Sequence, residues 1–248
     1  MSFIIQLNHR IVYRRFNRFG FIYVTLLFLT FPQCIWGHTP EEKAFYLQSR
    51  IVLQLTPSDA KAGNAVGVWN LEYNDLEASH KAFEQVARYH PGNFLAIAGL
   101  ALNYEQKASY KIALEMLETG KDLPEDFLPF VHLLKGRLLF HTNKLAEAKG
   151  ELLQGLRKAE NPHGHYLWLG RIAEVSGDIE QAIKSYQSAI KADPFWLEPY
   201  SRLSLIYSRQ GKKEQAKEAL RSIVTLDNPS PYPNNDIQTL WRAAMAGD

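Results

Sequence analysis

Cysteine is nearly missing from this chain: Cys34 is the single one in 248 residues. One cysteine excludes an intramolecular disulfide, so the fold must rest on packing alone. Phe31, Pro32 and Gln33 precede it, not the small residues that a lipid-modified cysteine would need. A glycine-rich phosphate loop, a metal-spaced Cys/His set and a nucleophile elbow are also lacking, so no catalytic site, cofactor or metal is expected. His163 and His165 read as turn residues, and His132 and His141 as helical ones, rather than as metal ligands. Acidic residues are lacking from 1–40, where Arg10, Arg14, Arg15 and Arg18 stand. Those four are taken from 28 basic residues, so without residues 1–37 the chain carries 24 basic against 26 acidic residues. A body so close to neutral has no basic footprint for nucleic acid.

An uncharged apolar run covers Phe19–Phe31, preceded by the arginines and ended by Pro32. Basic, then apolar, then a helix breaker is the order of a secretory signal peptide, and residues 1–37 read as one, with Gly37 as the last residue before the cut. Ile35 fits the preferred small residue poorly. The alternative is an uncleaved N-terminal anchor, since residues 19–36 are just long enough to cross a bilayer. The first reading makes the protein exported, periplasmic or secreted. The second leaves it membrane-anchored, with the body outside the cytoplasm.

What the chain has in quantity is repetition. The stretch from His163 aligns with the stretch from Leu197 at an offset of 34 residues. Tyr166 pairs with Tyr200, Leu169 with Leu203, Gly177 with Gly211, Ala182 with Ala216, Tyr186 with Leu220 and Ala189 with Ile223. The glycines suit a turn that needs positive φ, the alanines let two helices approach, and the bulky residue four positions on fills the space between them. Pro194 and Pro229 stop the second helix of each pair. Upstream, the small-residue slot recurs as Ser79, Ala113 and Ala148, so five slots lie in phase with one extra residue near Lys121–Pro129. Ala108 and Asn143 stand in place of the turn glycine.

Tyr166, Leu169, Gly170, Ala173, Gly177, Ala182, Tyr186, Ala189 and Pro194 together resemble the tetratricopeptide repeat, whose period is 34 residues. The resemblance implies an all-α fold, a right-handed solenoid of about five helix–turn–helix repeats with flanking capping helices. The repeats fall at 60–93, 94–128, 129–162, 163–196 and 197–230. A capping helix lies in 38–59, where Thr39-Pro40-Glu41-Glu42 is a helix start, and a closing helix and tail in 231–248 with Trp241 turned inward.

In the family, the first helix of each repeat lines a concave groove that grips a peptide. Helical spacing projects that stripe onto Leu95, Leu102, Phe130, Leu133, Arg137, Phe140, His141, Leu167, Arg171 and Arg209. Arg137 and Arg171 share a phase and would suit an apolar side chain beside a carboxylate, unless each pairs with a local acid. Lys61 and Asn64 are only a fragment of the family's carboxylate-clamp set. The implied function is a non-enzymatic scaffold or adaptor for a protein or peptide partner in an exported or membrane-associated assembly. The alternative is a regulatory or targeting subunit of an envelope enzyme complex.

Overall fold

The computed structural model describes residues 2–7, 10–15, 40–120, 123–225 and 235–246. It divides into two units, 1–39 and 40–248. In the first, β1 (Ser2–Leu7) pairs antiparallel with β2 (Arg10–Arg15), Ser2 opposite Arg15 and Leu7 opposite Arg10. This hairpin is an element that the reading of the N-terminus did not include. The apolar run 19–36 and the cut after Gly37 lie outside the described residues. Among the described residues no helix is long and apolar enough to cross a membrane.

The second unit is helical throughout its described residues. It comprises α1 (Pro40–Leu55), α2 (Ala60–Glu72), α3 (Leu76–Tyr89), α4 (Phe94–Gln106), α5 (Tyr110–Glu118) and α6 (Leu128–His141). Then follow α7 (Leu145–Leu156), α8 (His163–Val175), α9 (Ile179–Ala192), α10 (Leu197–Arg209), α11 (Lys213–Thr225) and α12 (Asn235–Ala246). From α2 to α11 each helix packs on the next, which makes five antiparallel pairs stacked in sequence order.

The turn inside each pair is set by one left-handed residue. Asn74, Ala108, Asn143, Gly177 and Gly211 have φ of 60°, 55°, 62°, 81° and 74°. A Cβ there crowds the following carbonyl, which glycine avoids, asparagine tolerates and alanine, at Ala108, adopts only at a cost. Aspartates close the same turns: the Asp75 and Asp178 carboxylates accept from the Ala78 and Gln181 amides at 3.0 Å, capping α3 and α9. The longer connection sits where the sequence carries its extra residue, between α5 and α6 at 119–127.

Packing inside each pair follows from size. Ser79, Ala113, Ala148, Ala182 and Ala216 are all buried. One turn further on, Phe83 and Tyr186 are fully buried against glycines of the partner helix. A Cβ on Gly67 would stand 2.6 Å from the Phe83 ring, and one on Gly170 2.6 Å from that of Tyr186. Ser79 keeps its polarity paired: its hydroxyl donates to the Gly67 carbonyl at 2.9 Å and accepts from Asn103 at 2.9 Å.

The two ends are finished differently. At the start, α1 packs on α2, where Tyr46 stacks on Trp69 with centroids 4.2 Å apart. The other end departs from expectation. Leu220, in phase with Tyr186, is 50% exposed, because among the described residues no helix follows α11 onto that face. The helix expected to close that end, α12, packs instead on α2 and α4. Leu240, Trp241 and Ala244 are buried there in the core that also holds Leu71 and Leu102. Trp241 is turned inward, but at the opposite end of the array.

Candidate functional site

The first helices of successive repeats, α2, α4, α6 and α8, converge on one pocket of about 380 Å³. It is lined by Leu71 from α2, Leu102, Glu105 and Gln106 from α4, Tyr110 from α5, Arg137 and His141 from α6, and Trp168 and Arg171 from α8. The repeat places them together: positions 34 residues apart stand at the same height on neighbouring helices.

The charges are arranged unequally. Arg137, 8% exposed, grips Glu105 with two parallel hydrogen bonds: its Nε donates to Oε1 at 3.1 Å and an Nη to Oε2 at 2.7 Å. Such a bidentate pair fixes both side chains and leaves little net charge. Arg171 lies flat over Trp168, its Cζ 4.2 Å from the ring centroid, and 5.2 Å from that of Phe140. Its carboxylate neighbour, Glu198, is 3.8 Å away and is shared with Arg202 at 3.6 Å. Burial lowers the pKa of Arg171, but a guanidinium stays protonated. The pocket therefore offers one cation stacked on an aromatic face, beside a neutralised pair.

His141 completes the wall. Its ring stacks on Tyr110 with centroids 4.5 Å apart and meets the edge of Trp168 at 5.5 Å. Burial, with Arg171 and Arg137 adding repulsion, pushes the imidazole pKa below its ordinary value, so the ring is neutral at pH 7.

Of the projected stripe, Leu102, Arg137, His141 and Arg171 line this pocket, and Phe140 stacks beneath Arg171. Leu95, Phe130 and Leu167 are buried core and are not among the residues that line the pocket. Their correction has a geometric cause. A first helix is enclosed by its own partner and by the preceding pair, so the N-terminal half of the stripe is interior; Phe94 meets Phe127 edge to face there, and Phe127 leans on Phe130. Leu133 is half-buried beneath Gly164, where a Cβ would stand 2.8 Å from its Cδ2. Arg209 is exposed and reaches Glu174 at 3.5 Å. The stripe overlooked Glu105, Tyr110 and Trp168. Tyr110 opens a second helix, where the projection did not look, and Trp168 falls three residues before Arg171, on the same face.

The histidines weighed as metal ligands are spent elsewhere. His132 Nδ1 is 2.7 Å from Glu151, His163 Nδ1 is 2.6 Å from the Asn161 side chain, and His165 Nε2 is 3.0 Å from the Pro129 carbonyl. Among the described residues no group of three or more His, Cys, Asp or Glu is placed to hold a metal ion.

Stacked helix pairs with a side-chain-lined groove define an α-solenoid repeat protein. Residues 131–195 and 197–229 match the tetratricopeptide repeat. The later part of the chain is thus built of tetratricopeptide repeats. It is 23% identical over 188 residues to the protein CTR9 homolog of Arabidopsis thaliana, across 71% of this chain and 17% of that protein. It is 26% identical over 166 residues to the BBSome complex member BBS4 of Bos taurus, across 66% of this chain and 31% of that one. The chain thus spans less than a third of the length of these relatives. Among solved structures, a chain of the APC/C hetero-tetramer Cut9–Hcn1 superposes with a TM-score of 0.66 at 19% identity, over 83% of this chain and 40% of that one. MamA gives 0.53 at 18%, over 66% and 95%. YrrB, described as a TPR protein with an unusual peptide-binding site, gives 0.50 at 17%, over 80% and 97%. At these identities the structures establish a common fold.

Proposed function

We propose that this protein is a non-enzymatic interaction scaffold whose groove holds a partner polypeptide and seats one of its side chains in the Arg137–Arg171 pocket. One observation carries the reading: three consecutive repeats bring a stacked, loosely paired guanidinium, two aromatic rings and a neutral imidazole to the same open cavity. An apolar or aromatic side chain fits against the wall that Trp168, His141 and Tyr110 form, and a neighbouring carboxylate meets Arg171. Arg137 braces that wall through Glu105 rather than gripping the ligand.

The test uses a fluorescent peptide with Phe beside Asp, and the same peptide with Asn in place of Asp. Arg171→Ala should weaken the acidic peptide by roughly ten-fold, the scale of one charge-assisted contact, and leave the neutral one unchanged. Equal affinity of both peptides for both proteins contradicts the assignment. The exported or membrane-associated setting belongs to the same proposal and rests on the basic, apolar and proline order of residues 1–37. The intact mass of the native protein after cell fractionation tests it: residues 38–248 in the exported fraction, or the whole chain in the membrane fraction, agree with it. The whole chain in the soluble cytoplasm does not.

A further inference from the structure

The groove is only partly open. At the other end from the pocket's arginines, α12 packs on α2 and α4, the groove-lining helices of the first two repeats. It comes from the far end of the chain: the Trp241 indole N–H donates to the Glu72 carboxylate at 2.8 Å, across 169 residues of sequence. The Trp241 ring meets Trp69 edge-on at 6.0 Å. Leu240 and Ala244 complete the buried face, while Arg242 and Met245 stay exposed. One short helix thus buries an i, i+1, i+4 face, which is how an amphipathic helix enters a groove. Nor does this position serve to close the array, since Leu220 at the last repeat is left half-exposed. A twelve-residue helix is also marginal alone, so its order depends on this contact.

We infer that the α2–α4 face is a helix-docking surface that α12 holds in cis, and that it accepts in its place a partner's amphipathic helix presenting Leu-Trp and, three residues after the Trp, Ala. Leu240 and Ala244 define apolar sockets on α2 and α4. Glu72 selects an indole N–H over a phenyl ring, because a buried-edge carboxylate without its donor is costly. A helix tethered in cis competes at an effective concentration of about millimolar, so a partner helix must bind well below that or α12 must first be drawn away. This inference does not rest on the reading of the Arg171 pocket, and its test leaves Arg171, Trp168 and His141 unaltered, although Leu71 and Leu102 border both surfaces.

The probe is a labelled peptide of residues 233–248, titrated by anisotropy into the full chain. Trp241→Ala in the chain should raise its affinity for the peptide by roughly ten-fold or more, by removing the cis competitor. The same peptide carrying Trp241→Ala should lose that binding. Against unaltered protein, the peptide bearing a benzophenone at position 243, a half-buried position packed against the same core, should cross-link to α2 or α4 when supplied in millimolar excess. This reading stands even if the chain variant does not fold. Equal affinity of the folded variant and the unaltered chain, or cross-links away from α2 and α4, overturns the inference. So does a stable dimer whose copies exchange α12 on mixing, which would give the surface to a second copy of this chain.

Discussion

Phe83 and Leu220 hold the same position of the repeat near opposite ends of the array. Phe83 is wholly buried between Gly67 and Gly99, while Leu220 is 50% exposed. The sequence runs the other way. The family matches begin at residue 131 and cover the later repeats, where the turn glycines stand, whereas the first repeats use Asn74 and Ala108. Conformity to the pattern and depth of burial are therefore separate properties. The pattern comes from turn stereochemistry and helix approach, which every repeat needs. Burial comes from neighbours, and the first repeats have α1 on one side and α12 in the groove.

That contrast can be broken at matched positions. Phe83→Ala should cost about 4 kcal/mol, the scale of emptying a closed aromatic site. Leu220→Ala should cost under about 1 kcal/mol, as for a surface side chain. Urea unfolding of both variants gives the comparison, and similar losses would show the last repeat to be as enclosed as the first. The arginines repeat it with charge. Arg137→Ala strands Glu105 in a mostly buried pair, with side-chain exposures of 10% and 16%, and should cost about 3 kcal/mol. Arg209→Ala, which removes a side chain 72% exposed from its ion pair with Glu174, should change stability by less than about 0.5 kcal/mol. Arg137 variants are for that reason poor controls for ligand binding, and Arg171 is the cleaner one.

Ala108→Gly sharpens the comparison from the other side. It relieves a left-handed alanine at φ 55° and should add about 1 kcal/mol, visible as a raised Tm. The smallest effect is that of pH. The pKa of His141 lies below the free value of 6.5, so the unfolded chain binds the proton more readily. This contribution to stability is present above pH 6.5 and is lost as the pH falls through the folded pKa. His141→Gln should flatten the decline in denaturation midpoint between pH 7 and 5 relative to the unaltered chain.

The turns and the small-residue slots were legible because each depends on one residue and its immediate neighbours. The groove was legible by half. Arg137, His141 and Arg171 are placed by period alone, but Leu95, Phe130 and Leu167 needed knowledge of which flank each helix buries. Glu105 is read as a surface charge until Arg137 is seen beside it. The seat of α12 was not legible, since nothing in an Asn235–Ala246 helix encodes which end of a five-repeat array it meets. The hairpin left a fainter signal, β-branched and aromatic residues on either side of Asn8-His9, which the arginines masked.

Amide hydrogen exchange of the unaltered chain, read helix by helix, tests most directly the claim that the array is closed at its first repeats and open at its last. Exchange follows the free energy of local opening. The account predicts the slowest amides in α2 and α4 and much faster ones in α11. Amides of α11 as slow as those of α4 would contradict it.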